Sequence, residues 1–224
     1  LEYQLNKVRS YISKIEAYDF IITIVDNGST DQTKVISEEL INHKIVNKYL
    51  YLSQKGRGRA IKHAIAKSNA DIVSYMDIDL STDLNSLLPL IESITKDKYD
   101  IAIGSRLSKG SNVIGRKKIR EFTSRSYNLL IKLFFPFSKI DDMQCGFKAF
   151  SRVKILTVLD LVTNTKWFFD TEIIIIARNL NLSIYQLPVK WTDDPNTSVN
   201  IISTAIEDII GLIKLRIKLI NKIL

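Results

Sequence analysis

The chain has 224 residues, a formal net charge of +8 and an apolar fraction of 46%, which is enough for one domain with a sizeable core. One cysteine excludes an internal disulfide and fits a reducing compartment, and two histidines are too few for a histidine-based metal cluster. The basic balance suits an anionic partner: a nucleic acid, a membrane surface or a phosphorylated small molecule. The sequence contains no charge-free apolar run of about 18 residues, the length that spans a bilayer.

The first half of the chain alternates short apolar segments with amphipathic ones. Apolar residues at helical spacing predict a helix within residues 1–17. Buried strands are then predicted in "FIITIVD", "KIVNKYLYL", "DIVSYMD" and "YDIAIGS". Helices are predicted between them, over residues 31–42 with Ser29 or Thr30 as N-cap, in "GRGRAIKHAIAKSN" and in "LNSLLPLIESIT". This alternation predicts an α/β fold with a largely parallel sheet, in which ligands bind beyond the carboxyl ends of the strands.

The second half is less regular. Residues 116–135 predict one long helix that is basic at its start and apolar at its end. "GFKAF" predicts a strand, "DTEIIIIARNL" a helix and "LSIYQLPVKW" a strand. Residues 201–224 predict an amphipathic helix with a stripe of isoleucines and a basic polar face, which could lie in a membrane interface or pack on the sheet. We therefore divide the chain into a main domain, 1–198, and a C-terminal helix, 199–224.

Two carboxylates stand one residue apart in "YMDIDL", at the end of a predicted strand. Because side chains alternate along a strand, Asp77 and Asp79 point the same way and repel each other unless a cation or donors lie between them. Mg²⁺ or Mn²⁺ prefers such oxygen ligands and can also bind a diphosphate. Taken alone, a pair of this kind is more commonly a solvated strand end whose second aspartate caps a helix.

The motifs of the chain occur in an order that resembles the family-2 glycosyltransferases of GT-A fold. "VDNGSTDQT" is similar to the V-D-D-G-S-x-D-x-T turn of that family, whose D-x-D ends a later strand. "QKGRGRAIKHAI" and "AIGSR" resemble its K-G-x-G-x-A and G-S-R elements. "DDMQCGFKAF", "WFFDTEIIIIA" and "LPVKW" resemble elements of the subgroup that contains dolichyl-phosphate β-glucosyltransferase and dolichyl-phosphate mannose synthase.

The resemblance implies a GT-A (Rossmann-like) fold, with a mostly parallel sheet flanked by helices. The family begins with a strand and P-x-Y-N-E, whereas this chain begins at "LEYQL", so the first strand is expected to be absent from it. The implied activity is inverting transfer of a hexose from a nucleotide-diphosphate sugar, UDP-glucose by resemblance, to a polyprenyl (dolichyl) phosphate. It implies Mg²⁺ or Mn²⁺ as cofactor and peripheral attachment to the cytoplasmic face of a membrane, with no nucleic acid partner.

The resemblance also assigns roles to individual residues. Those expected to bind the nucleotide sugar are Asp26, Asn27, Lys55, Asp77, Arg106 and Trp167. Asp77 and Asp79 are expected to hold the metal. Those expected to bind the acceptor's phosphate are Arg116, Arg120 and Lys148, although the two arginines could instead form a solvated basic face. The expected catalytic residues are Asp142, Asp170 and Gln144.

The acceptor decides what the catalytic residues must do. A hydroxyl acceptor needs a general base, whereas a phosphate is already ionised near neutral pH and needs positive charge and in-line placement. With a phosphate acceptor, Asp142 or Asp170 would position substrate rather than take a proton. Two rival hypotheses remain at this point: a glycosyltransferase of the same fold that acts on a hydroxyl of a glycan or glycolipid, and a non-catalytic basic domain that binds a membrane or nucleic acid.

Overall fold

The computed structural model describes residues 1–116, 118–193 and 201–221, and of residues 201–203 it describes the backbone only. The helices are α1 (Glu2–Ile12), α2 (Thr33–Asn42), α3 (Arg57–Lys67), α4 (Leu87–Thr95), α5 (Lys118–Phe134), α6 (Arg152–Leu159), α7 (Phe169–Asn179) and α8 (Ile201–Ile220). The strands are β1 (Thr23–Asp26), β2 (Lys48–Tyr51), β3 (Ile72–Met76), β4 (Ile101–Ser105), β5 (Asn112–Ile114), β6 (Phe147–Ser151), β7 (Ile184–Pro188) and β8 (Lys190–Thr192). A short 3₁₀ turn, Leu84–Ser86, precedes α4.

The largest sheet has the strand order β3-β6-β4-β7, and β1-β2 and β5-β8 form separate pairs. Among the described strands, β6 is antiparallel to both of its neighbours, β3 and β4, whereas β1-β2, β4-β7 and β5-β8 are parallel pairs. The predicted α/β fold with mostly parallel pairing is therefore confirmed. Because β6 is reversed, the loop that precedes it lies at the edge where β3 and β4 end, and this places "DDMQCG" beside the D-x-D.

The main core lies between the largest sheet and helices α5 to α8. All four isoleucines of α7, residues 173–176, are fully buried. A helix that is apolar all round is stable when it is covered on every side. The helix predicted for this β-branched run is thus confirmed, because tertiary burial outweighs its modest helical propensity.

Two predictions about local structure were wrong. "LSIYQLPVKW" is not one strand: β7 pairs with β4, and after Val189 the chain changes partner, so that β8 pairs with β5. Helix α2 begins at Thr33 after Gln32, not at residue 31 with Ser29 or Thr30 as cap. Asp31 instead accepts hydrogen bonds from the backbone and side chain of Thr33.

The remaining expectations concern additional elements, the C-terminal part of the chain and membrane-spanning helices. Strand β5 and helix α6 were not predicted from the sequence. The predicted division at residues 198/199 and the end of the C-terminal helix, 222–224, lie outside the described residues, so the two-part organisation stays a prediction. Among the residues that are described, no helix is both long and apolar enough to cross a membrane.

The close packing of α3 on α7 yields a test of the fold. A Cβ atom added at Gly58 would lie 2.5 Å from the Cβ of Phe169, so Gly58→Ala requires the two helices to move apart. We expect this substitution to lower the free energy of unfolding by about 1–3 kcal/mol, as overpacking does, measured by chemical denaturation. Helix propensity alone would raise it by about 1 kcal/mol. Ala66→Gly, at an exposed position of α3, measures that propensity separately; a stabilised Gly58→Ala variant would contradict the packing argument.

Candidate functional site

The D-x-D carboxylates lie just beyond the end of β3, at the edge where the loop before β6 also lies. The side chain of Asp77 is 52% exposed, and its Oδ1 accepts a hydrogen bond from Arg57 Nη2 at 3.0 Å. A Cβ atom at Gly146 would lie 1.8 Å from Asp77 Oδ2, so this loop passes directly over the carboxylate and a side chain here would displace it. Asp79 is exposed and accepts a hydrogen bond from the backbone N–H of Ser81 at 2.9 Å.

A buried ionic network lies behind Asp77 and centres on Asp170 at the start of α7. One carboxylate oxygen of Asp170 accepts from Arg57; the other accepts from the Tyr75 hydroxyl and, at 2.5 Å, from Lys148 Nζ. Burial acts to raise the pKa of Asp170, but the charges of Arg57 and Lys148 outweigh it and hold the pKa below its usual range. The Arg57 guanidinium lies over the half-exposed ring of Trp167, 5.3 Å from its centroid.

The structure contradicts one predicted contact in this network. Lys148 was expected to bind the acceptor's phosphate, but its side chain is fully buried. Its ammonium group donates to Asp170 and to the backbone carbonyl of Cys145 at 2.6 Å. The residue lies inside β6 with its side chain pointing into the core, so it orients Asp170 rather than facing a substrate.

A second buried ion pair joins Arg106, which follows β4, to Asp142. Arg106 donates to both carboxylate oxygens, through Nε at 2.7 Å and Nη2 at 2.8 Å, and its backbone N–H adds a third bond at 3.0 Å. Asp142 is fully buried; burial acts to raise its pKa, but Arg106 holds it below the usual range. Neither Asp142 nor Asp170 is therefore a free carboxylate, and the fork of Arg106 is already engaged.

The two arginines predicted to bind the acceptor's phosphate differ in their partners. Arg120 pairs with Asp193. Arg116 lies over the Trp191 ring, 5.9 Å from its centroid, and donates to Ser124, and within the described part of the chain it has no carboxylate partner. Burial and the nearby charge of Arg106 lower the pKa of Arg116, as expected for a cation that lacks an anion. Arg116 is thus the better placed of the two to bind an anion.

The first βα turn and the glycine-containing loop are joined by hydrogen bonds. Asp26 is buried at the end of β1 and accepts from the Tyr49 hydroxyl at 2.7 Å and the backbone N–H of Ser29 at 2.8 Å. Burial acts to raise the pKa of Asp26, but these two hydrogen bonds outweigh it and lower the pKa below its usual value. Asn27 accepts from the backbone N–H of Gly56 at 2.6 Å. Lys55, just before that glycine, is exposed, so both segments border the same surface.

Gln144, the remaining predicted catalytic residue, contacts helix α8. Its Nε2 donates to Asp208 Oδ2 at 2.7 Å. Sequence reasoning assigned no role to Asp208, although it is the last acidic residue before the helix turns basic. Nor did it assign a role to Tyr75 or to Trp191, whose ring lies beside both Arg106 and Arg116.

The D-x-D carboxylates fit a divalent cation that is also coordinated by a diphosphate. Among the described residues, no group of three or more metal-ligating side chains occurs. Mg²⁺ is nonetheless commonly held by only one or two protein carboxylates, with substrate phosphates and water as its other ligands. Asp77 and Asp79 each have one oxygen engaged by a protein donor and one without such a donor among the hydrogen bonds of the described residues, which suits that mode of binding.

The chain is similar to curated glycosyltransferases over most of its length. It is 32% identical to glycosyltransferase AglD of Haloferax volcanii, over 92% of this chain and 33% of the relative. It is 31% identical to dolichyl-phosphate beta-glucosyltransferase ALG5A of Trichomonas vaginalis, over 97% of this chain and 68% of the relative. The chain thus spans a third of the first relative and about two thirds of the second.

The fold is similar to that of a solved glycosyltransferase. Glucosyl-3-phosphoglycerate synthase from Mycobacterium tuberculosis, crystallised with Mn²⁺, UDP and glucosyl-3-phosphoglycerate, superposes with a TM-score of 0.67 at 15% identity. The match covers 96% of this chain and 75% of the synthase. Residues 3–159 match the family model described as "Glycosyl transferase family 2". Because that match covers more than half of the chain, the protein belongs to glycosyl transferase family 2.

Proposed function

We propose that the protein transfers a hexose, with inversion, from a nucleotide-diphosphate sugar to a polyprenyl phosphate such as dolichyl phosphate. UDP-glucose is the proposed donor, because relatives matched over most of this chain are named dolichyl-phosphate beta-glucosyltransferases. Since the chain spans only part of the length of these relatives, their activity is a proposal for it.

The observation that carries the proposal is that both predicted catalytic carboxylates are held in buried ion pairs. Asp142 is bound by Arg106, and Asp170 by Arg57 and Lys148. A general base must be within reach of the acceptor's proton and have a pKa near the working pH, and neither carboxylate meets these conditions. A phosphate acceptor needs no such base, so this arrangement favours it over a hydroxyl of a glycan or glycolipid.

The site residues then have distinct proposed roles. Asp77 and Asp79 would hold Mg²⁺ or Mn²⁺, which supplies positive charge to the diphosphate of the leaving nucleotide. Arg116, which has no carboxylate partner among the described residues, would bind the acceptor's phosphate. Trp167, half-exposed over Arg57, would stack on the donor. Asp142 and Asp170 position the cations around these groups.

We further propose that α5 and α8 dock the protein on a membrane. The two helices pack against each other, and each presents large apolar side chains to solvent. On α5 these are Ile119, Phe122, Leu129 and Leu133, and on α8 they are Ile206, Ile209, Ile210, Ile213, Ile217 and Ile220, each 43–71% exposed. Exposed apolar residues in such number mark an interaction surface rather than ordinary solvent contact. We call them the α5–α8 surface.

The charge of the neighbouring residues supports an anionic bilayer as the proposed occupant. Exposed basic residues accompany the α5–α8 surface on both helices: Lys118, Arg125, Lys132, Lys214 and Arg216. Basic residues beside an apolar face suit the headgroup boundary of anionic lipids. Helix α5 also begins next to Arg116, so a polyprenyl tail attached to a phosphate there would lie near this surface. Attachment from the cytoplasmic side stays a prediction.

Sugar transfer to dolichyl phosphate tests the proposed activity. With Mg²⁺ or Mn²⁺ and UDP-glucose, GDP-mannose or UDP-N-acetylglucosamine, we expect transfer from one donor, UDP-glucose. Chelation should abolish it, and Asp79→Asn should lower it at least about a hundredfold, since the amide keeps the bond from Ser81 but loses the charge that binds metal.

Asp83→Asn is the matched control for that experiment. Asp83 also accepts a hydrogen bond from a backbone N–H two residues further on, Asn85, at 2.9 Å, but it is not part of the proposed site, so its activity should equal that of the wild type. Metal-dependent nucleotide binding without transfer from any donor would reject the phosphate acceptor and favour a hydroxyl acceptor. Salt-sensitive vesicle binding without nucleotide affinity would reject an enzyme altogether.

The buried pair of Asp142 gives a second test. Asp142→Asn leaves the Arg106 guanidinium buried beside a neutral group, and we expect the free energy of unfolding to fall by about 3 kcal/mol or more. Asp141→Asn, which removes an exposed pair with Lys132, should cost less than about 1 kcal/mol. An Asp142→Asn variant as stable as Asp141→Asn would contradict this account of the pair and return Asp142 to the candidates for a general base.

Binding to lipid vesicles tests the α5–α8 surface. The triple substitution Ile210→Gln, Ile213→Gln and Ile217→Gln should weaken binding to anionic vesicles at least about a hundredfold, since each isoleucine contributes about 1.5–3 kcal/mol when buried. The melting temperature should fall only slightly, because about half of each side chain is already exposed. Val35→Gln with Val153→Gln, exposed on α2 and α6, should leave vesicle binding unchanged. Equal binding of the triple variant would refute membrane docking through this surface.

A further inference from the structure

We propose that Asp208, on the inward face of α8, is a positioning residue of the transfer reaction, which acts by fixing the side-chain amide of Gln144 in one orientation. The inference rests on the proposed function, because Gln144 is one of the residues expected to be catalytic in that reaction. It assigns α8 a part in the site in addition to its exposed apolar face.

Helix α8 is seated firmly enough for Asp208 to have a defined position. Leu212 and Leu215 on the same side of the helix are buried in the main core. A Cβ atom at Gly211 would lie 2.5 Å from the ring of Phe168, so the helix backbone packs directly against the residue before α7. Lys218 Nζ donates to the backbone carbonyl of Leu161 at 2.6 Å. Asp208 therefore faces the protein interior, where it is 3% exposed.

The contact with Gln144 has a chemical direction. An ionised carboxylate can only accept hydrogen bonds, so the bond of 2.7 Å to Asp208 Oδ2 requires the NH₂ group of Gln144 to face α8. The carbonyl Oε1 of Gln144 must then face the other way. Gln144 lies between Asp142, which is paired with Arg106, and Gly146, which packs on Asp77. The orientation of its amide is thereby set within the site.

The surroundings of Asp208 make its charge state variable near neutral pH. Its Oδ1 is buried and has no hydrogen-bond donor among the described residues. Burial, above all, and the negative charges of Glu207 on α8 and Asp170 on α7 raise the pKa of Asp208 to about 6, against the opposing effect of the bond from Gln144. On α5, the titratable group that faces Asp208 is Tyr127. Burial raises the pKa of Tyr127 well above its usual value, so this residue stays neutral.

Protonation of Asp208 would reverse the direction of its hydrogen bond with Gln144. A protonated Asp208 can donate to Oε1 of Gln144, and the amide can then turn by half a revolution and present its NH₂ group to the site. Asp208 itself has almost no exposed surface from which to reach a substrate. Its influence on the reaction therefore passes through Gln144, and it should be present above pH 6 and lost below it.

The test is the pH profile of kcat/KM for wild type and Asp208→Asn, with the full-length protein. The wild type should lose activity as the pH falls through about 6. An asparagine can accept from the amide of Gln144 or donate to it at any pH, whereas the second ionisation of the acceptor's phosphate, also at about pH 6, affects both proteins alike. The ratio of wild-type to variant kcat/KM should therefore fall towards one as the pH falls through 6. At pH 8 the kcat/KM of the variant should be lower by roughly ten- to a hundredfold, the scale of a misplaced reacting group.

Two further variants make the result specific. Gln144→Leu should lower kcat/KM by a similar factor, and the double variant with Asp208→Asn should be no worse than either single one, because both act through the same contact. Asp97→Asn, an exposed carboxylate in the turn after α4, should keep the wild-type profile. The proposal would be overturned if the losses of the two single variants multiplied in the double variant, or if the ratio of wild-type to Asp208→Asn kcat/KM did not change with pH.

Thermal stability separates this inference from the proposed function, because it needs no turnover. A carboxylate whose pKa is higher in the folded than in the unfolded state destabilises the fold once it is ionised. Its stabilising proton is fully present below about pH 4 and lost as the pH rises through 6. The melting temperature of Asp208→Asn minus that of wild type should therefore increase between pH 4 and pH 6 and level off above it. A constant difference would show that Asp208 does not titrate as a buried group and would reject the proposal even if transfer were confirmed.

Discussion

The arrangement of the site depends on the buried carboxylate of Asp170. Arg57 from α3, Tyr75 from β3 and Lys148 from β6 all donate to it, so one anion at the start of α7 joins four elements. A buried charge is tolerated only with such compensation, and the loss of one partner leaves the others uncompensated. The same Arg57 also binds Asp77, so the position of the D-x-D is tied to this network and, through it, to the core.

The reversed strand β6 explains why residues far apart in sequence meet there. If β6 were parallel to β3 and β4, the loop before it would lie at the opposite edge of the sheet and "DDMQCG" would be remote from the D-x-D. Because it is antiparallel, Asp142 meets Arg106 at the end of β4, and Gly146 meets Asp77 at the end of β3. The topology therefore places the Asp142–Arg106 ion pair and the contact of the Gly146 backbone with Asp77 at the same edge of the sheet.

The sequence predicts well what is encoded locally. Apolar runs with polar ends predicted strands β1 to β4, and ordered motifs predicted the family. Contacts between residues that are distant in sequence could not be predicted. Arg57 and Asp170, for example, are separated by 113 residues. A lysine in "GFKAF" also looks the same in sequence whether it faces solvent or an internal carboxylate. The family resemblance assigned Lys148 to the acceptor's phosphate, and nothing in the local sequence indicated its internal partner. The change of partner at Val189 was missed because both halves of "LSIYQLPVKW" have strand propensity, and only the positions of β4 and β5 divide them.

Helix α8 shows how an amphipathic pattern can be interpreted in two opposite ways. A stripe of isoleucines usually faces the core of a soluble protein, but here Leu212, Leu215 and Asp208 face inward, whereas Ile213 and Ile217 are about half exposed. The interior face is thus anchored by two leucines and a carboxylate that contacts the site, and the larger apolar face is left outside. Such an inversion costs free energy in water unless something covers the outer face. A helix that touches Gln144 on one side and, as we propose, a bilayer on the other would bring the reaction centre to the surface where a lipid-linked phosphate lies.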